Sequence, residues 1–156
     1  MTTNLKEHTL RKVFALLATL LVLVLAVQFF LAASGAFDTA PNDESFQQHR
    51  GLGYGIVLFA ILLTIFAALA RMPGRLIGMT GLVAGLGVGQ SLIRGIAAAF
   101  NDTGDTSTTA GTLVFGLHGV NGLIMLAVAA AVARRARALS RSAVADRPAG
   151  VAQPAS

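Results

Sequence analysis

Phe46-Gln47-Gln48-His49-Arg50-Gly51-Leu52-Gly53-Tyr54-Gly55 is where a polar loop passes into a long apolar run with a histidine at its mouth. The same arrangement returns at Val114-Phe115-Gly116-Leu117-His118-Gly119-Val120-Asn121-Gly122. Uncharged runs extend outward from these stretches. Gly51 to Ala70 follows the first, Ala110 to Ala133 contains the second, and Val13 to Ala33 and Leu76 to Ile93 lie upstream of each. An α-helix needs about 20 apolar residues to cross the hydrocarbon core. The third run is a little short alone, and Gly95 to Phe100 extends it beyond Arg94.

The runs imply an all-α bundle of four transmembrane helices built as two tandem hairpins, with helices at about 13–34, 50–71, 76–99 and 110–137. A polar N-terminal tail (1–12), the membrane domain (13–137) and a disordered C-terminal tail (138–156) complete the reading. Lys6, Arg11 and Lys12 before the first run raise the alternative of a cleaved signal peptide, but its apolar stretch exceeds the usual 7 to 15 residues. A retained helix is expected. Ser34 to Arg50 and Asn101 to Thr109 read as polar loops, and Arg71-Met72-Pro73-Gly74-Arg75 as a tight reversal.

Composition supports the bilayer. The 156 residues are 54% hydrophobic and 12% charged, with a mean hydropathy of +0.70, too apolar for a soluble domain of this size. The net charge of +5 comes from basic residues flanking apolar runs, a topology signal rather than a nucleic-acid surface. Lys6, Arg11, Lys12, Arg71, Arg75 and the C-terminal arginines fall on one side, and Asp38, Asp43, Glu44, Asp102 and Asp105 on the other. Both termini are therefore expected in the cytoplasm and the chain in the cytoplasmic (inner) membrane. Phe29, Phe30, Phe37, Phe46, Tyr54, Phe100 and Phe115 would furnish part of an outer aromatic belt. With no Cys, thiolate metal sites and iron–sulfur clusters are excluded.

The two hairpins resemble a duplication, each carrying Gln near one helix end (Gln28, Gln90) and His near the next helix start. Depth separates the histidines. At 1.5 Å per residue, Gln28, Gln90 and His118 stand about 22 to 24 Å above Lys12, Arg75 and Arg134, whereas His49 stands about 33 Å above Arg71. An offset of about 9 Å is expected on that rise, which opposes ligation of one atom by both.

Three readings of the histidines stay open, one of them a non-haem ion site. Facing helices can hold a b-type haem through two axial imidazoles; equally, His49 can be a wet interface residue and His118 an interhelical hydrogen-bonder. Arg50 and Arg94, the basic residues on the outer side, would pair with haem propionates or with nearby carboxylates and lipid phosphate. Gln28 and Gln90 serve a ligand or bond across helices, and Asn121 orients His118 or is structural. Gly81, Gly85 and Gly89 smooth one face of the third helix and suit close packing, including a membrane-protein partner or a second copy. A small-molecule or quinone site near Gln28, Gln90 and His118 is a further possibility. No intramembrane carboxylate, phosphate loop or nucleophile motif is present, so no catalytic residues are assigned.

At His49-Arg50-x-Gly, Gln90 and Leu117-His118 the chain resembles small bacterial four-helix membrane proteins classed as a domain of unknown function, over roughly Arg11 to Arg137. It is also similar to one four-helix half of haem A synthase, in which a His-Arg pair opens the second helix, a Gln-bearing helix follows and a second His opens the fourth. That resemblance implies haem ligation by His49 and His118. The chain has one such half, and Glu44, in the loop, does not match that enzyme's catalytic Glu, so synthase activity is not implied.

Overall fold

The computed structural model describes residues 2–100 and 108–145, with side chains from 6–100 and 108–142. It is all-α, with no strand among the described residues: α1 (Thr2–Ala36), α2 (Asn42–Ser45), α3 (Gln47–Leu69), α4 (Gly74–Phe100) and α5 (Thr109–Ala145). All but α2 are long and apolar enough to cross a membrane.

Each long helix packs on two neighbours. α1 touches α3 and α5, α4 touches α3 and α5, and the diagonal pairs α1/α4 and α3/α5 stay apart. This is the closed square of a four-helix bundle, and it is what two hairpins related by a two-fold along the bundle axis produce. Within it, α1 buries Phe14, Ala18, Leu21 and Leu25; α3 buries Ile56, Ala60, Leu63 and Ala67; α4 buries Leu76, Thr80, Val83 and Gly87; α5 buries Met125, Ala129, Val132 and Ala136. Inward positions alternate by four and three residues, as in helices packed at a shallow angle. Seven of these sixteen residues are Ala, Gly or Thr, which let helix backbones approach closely. Thr80 is fully buried, and its hydroxyl donates to the carbonyls of Leu76 and Ile77 at 3.1 and 2.9 Å.

Helix ends depart from the sequence expectation. α1 begins at Thr2 rather than near Val13, and α5 runs to Ala145, through residues expected to be tail; apolar runs mark what fits in lipid, whereas helices continue into water. Residues 146–156 of the expected tail lie outside the described residues, as do 101–107 of the second polar loop. The first polar loop contains α2 and the opening of α3. At the reversal, the turn is made before Pro73-Gly74. Arg71 adopts φ 52°, its N–H reaches Ala68 O at 3.0 Å and the Met72 N–H reaches Ala67 O at 2.9 Å, the paired bonds of a Schellman cap. Met72 is buried, supplying that motif's apolar contact. α5 starts on a side-chain cap, with Thr108 Oγ1 accepting from the Gly111 N–H at 3.0 Å.

The glycines of α4 divide differently from the sequence pattern. Gly87 is buried, and a Cβ there would lie 2.9 Å from Val57 Cγ2. Gly81 and Gly89 face Thr64 and Asn121 of this chain at ordinary contact distances, while a Cβ on Gly85 would meet nothing. Gly87→Ala is therefore expected to lower stability by about 1 to 3 kcal/mol, with Gly85→Ala neutral or slightly stabilising, as read by thermal unfolding in detergent. Equal effects would refute this assignment of the faces.

Candidate functional site: a polar layer across the bundle

The four-and-three spacing continues past the apolar core into polar residues. On α1 it passes from Leu25 to Gln28, on α3 back from Ile56 through Gly53 to His49, on α4 from Gly87 to Gln90, and on α5 back from Met125 through Gly122 to His118. Each long helix thus contributes one polar side chain to a layer near the α2 end. The layer holds Gln28 and Gln90 on one diagonal and His49 and His118 on the other.

The two imidazoles meet across the bundle, with ring centres 6.2 Å apart and planes inclined by 54°. This removes the depth offset expected from the sequence. The registers of α1 on α3 are set by the Gln28–His49 contact and, lower down, by Phe14 stacked on Phe66 at 6.4 Å. Arg71 consequently lies level with the first turns of α1, below Lys12, so the basic residues never marked a common depth.

His49 is held by the main chain. Its Nδ1 lies 3.1 Å from the Gln28 carbonyl oxygen, which can only accept, so Nδ1 carries the proton and Nε2 keeps its lone pair. The Gln28 amide donates to His49 O at 2.9 Å and lies 3.3 Å from His49 Nε2, which fixes its orientation, since a flipped amide would set two oxygens against each other. A ring N–H on a backbone carbonyl with the opposite nitrogen bare is the arrangement that presents imidazole to a metal.

The second half repeats the first. The His118 ring engages the backbone of Gln90, and Phe115 stacks on it at 5.4 Å with planes 3° apart, while Phe46 meets His49 edge-on at 6.1 Å. A Cβ on Gly53 would lie 3.2 Å from Gln28 Nε2, and one on Gly122 3.2 Å from Gln90 Nε2 and 3.2 Å from Phe29 Cζ. Each glycine is the recess that admits its glutamine. Phe-x-x-His-x-x-x-Gly therefore recurs as Phe46/His49/Gly53 and Phe115/His118/Gly122; the roles of Phe46, Gly53 and Gly122 escaped the sequence reading, and this shared spacing is the signal that carries them.

The layer is left short of hydrogen bonds. Gln28 Oε1, Gln90 Oε1 and His118 Nδ1 are buried with no partner among the described residues, whereas buried polar atoms are nearly always paired. Asn121 is not part of this deficit and does not reach His118 through any recorded bond: its Nδ2 donates to Leu86 O at 2.9 Å, tying α5 to α4. Arg50 turns to the loop, with Nη1 3.5 Å from Asp43 Oδ1 and Nη2 donating to the Asp43 carbonyl. Arg94 is exposed and stands near His118.

Two imidazoles on opposite sides of one metal, with metal–nitrogen bonds of about 2.0 Å and ring centres about 1 Å behind their nitrogens, have centres about 6 Å apart. The ring-centre spacing of the histidine pair matches that distance. Room for a macrocycle between the rings is taken by the Gln28 and Gln90 amides, which sit in the recesses at Gly53 and Gly122, so a haem would require both to turn aside.

Residues 28–99 match the family of unknown function DUF6220. The match takes in Gln28, His49, Gly53 and Gln90, 72 of the 156 residues, in agreement with the resemblance to four-helix membrane proteins of unknown function. No curated protein and no solved structure matches the chain, so the likeness to half of haem A synthase rests on its short motifs.

Proposed function

We propose that this is a multi-pass protein of the cytoplasmic membrane, with both termini inside, that carries a b-type haem between His49 and His118 as a membrane redox subunit. The 6.2 Å approach of two imidazoles from diagonal helices is the observation that carries the reading. His49 Nδ1 on the Gln28 carbonyl keeps Nε2 available; His118 is oriented by Gln90 and by the Phe115 ring. Gln28 and Gln90 vacate the layer over Gly53 and Gly122. Arg94, near His118, is the better placed partner for a propionate, since Arg50 is engaged by Asp43. When bound, the haem supplies one-electron transfer; the chain supplies its ligands and a surrounding that excludes water.

A reduced-minus-oxidised visible spectrum of detergent-purified, haem-replete protein tests this. A low-spin b-type spectrum lost in both His49→Ala and His118→Ala is expected, and a colourless folded wild type would refute it. The second reading, a cofactor-free accessory protein, is favoured by the closed state of the layer, in which Gln28, Phe29 and Gln90 fill the space. It includes packing against a partner or a second copy through the open side of α4 at Gly85, next to Gly81 and Gly89.

A further inference from the structure

The chemistry of the closed layer is one-sided. Its clearest donors are spent: His49 Nδ1–H on Gln28 O, the Gln28 amide on His49 O, and the Asn121 amide on Leu86 O. What remains is lone pairs. His49 Nε2 has only the Gln28 amide at 3.3 Å, Gln28 Oε1 and Gln90 Oε1 have no partner among the described residues, and a His118 ring with one N–H turned to the Gln90 backbone keeps a lone pair on its other nitrogen. A surplus of acceptors in a buried layer calls for a cation rather than an anion or a neutral acceptor.

We infer that the haem-free layer binds one monovalent copper ion in line between His49 and His118, in the same layer as the unpaired Gln28 and Gln90 oxygens. Charge selects the ion. No carboxylate belongs to the layer and Arg94 already stands by His118, so each unit of charge on the ion is penalised and the lowest charge is favoured. Of the metals that imidazole suits, zinc, copper, iron and nickel, copper alone has a common monovalent state, and that d¹⁰ ion accepts two imidazoles in line. The spacing agrees, because two metal–nitrogen bonds of about 2.0 Å put the ring centres about 6 Å apart, against 6.2 Å here. Binding breaks only the 3.3 Å contact from the Gln28 amide and changes no oxidation state. The inference uses the histidine pair but not the haem.

The test uses full-length, haem-free protein in detergent, titrated with ascorbate-reduced copper in competition with a chromogenic Cu(I) chelator. One copper per chain is expected, with absorption spectroscopy reporting two imidazole ligands. His49→Gln and His118→Gln, which retain hydrogen-bonding side chains, should each lose retention, and Gln28→Ala with Gln90→Ala should weaken it about 10- to 100-fold. Circular dichroism confirms that each variant is folded. A folded wild type that yields all copper to the chelator, or retention unchanged in both His→Gln variants, overturns the inference. Absence of a haem spectrum bears on the preceding proposal and leaves this result standing.

Discussion

Gly122→Leu is expected to destabilise the bundle by about 1 to 3 kcal/mol or more, and by more than Gly53→Leu does. Both glycines are recesses for a glutamine, but the groups around them differ. A Cβ on Gly53 meets one atom within 4 Å, the amide end of Gln28, a flexible tip that can swing aside at the cost of its contacts with His49. A Cβ on Gly122 meets both the Gln90 amide and the Phe29 ring at 3.2 Å. A ring packed between helices has few places to go. Thermal unfolding in detergent, followed by loss of helical ellipticity, reads the difference. Equal midpoints for the two variants, or a larger loss at Gly53, would contradict the packing described.

Gln90→Leu is expected to leave stability unchanged or raise it by about 0.5 to 2 kcal/mol, while His118→Leu, which gives up the ring's contacts with the Gln90 backbone and Phe115, abolishes metal or haem binding. The replacement of Gln90 removes a buried oxygen that has no partner among the described residues, and an apolar group of similar size avoids the desolvation penalty of an unpaired one. Gln28→Leu should behave oppositely. Its amide donates to His49 O, and losing an interhelical bond of this kind costs about 0.6 to 2 kcal/mol. The layer would then be a place where the bundle gives up stability for binding, as functional sites do. If Gln90→Leu is as destabilising as Gln28→Leu, Gln90 Oε1 has a structural partner and the argument for an unpaired acceptor falls.

The four spans were legible because each apolar run is long enough for lipid and is bounded by charges or by Pro and Gly. The pairing of Gln with His in each hairpin was legible too, from the repeat of the stretches around His49 and His118. Their common depth was not. Counting upward from Lys12, Arg71 and Arg134 assumes that basic residues share a level, whereas long side chains and helices that run on into water, as α1 does before Lys12 and α5 after Arg137, break that assumption. Counting along the four-and-three repeat from the apolar core would have placed all four residues in one layer. Arg71 was read as a topology marker, yet it also occupies the left-handed cap position that glycine usually takes, a choice no local preference signals. Asn121 was read as orienting His118 or as structural; its amide crosses to Leu86, a tertiary contact that spacing within one helix does not encode.

The central claim is that His49 and His118 face one another across the bundle. The chain contains three histidines, so imidazole ¹⁵N and ¹H spectra of selectively labelled, ligand-free protein can be assigned with His8→Gln, His49→Gln and His118→Gln. Through-space cross-peaks between the His49 and His118 rings, with His49 protonated at Nδ1, are the result this structure predicts. Absence of any contact between the two rings in a folded sample, or a His49 ring protonated at Nε2, would contradict it.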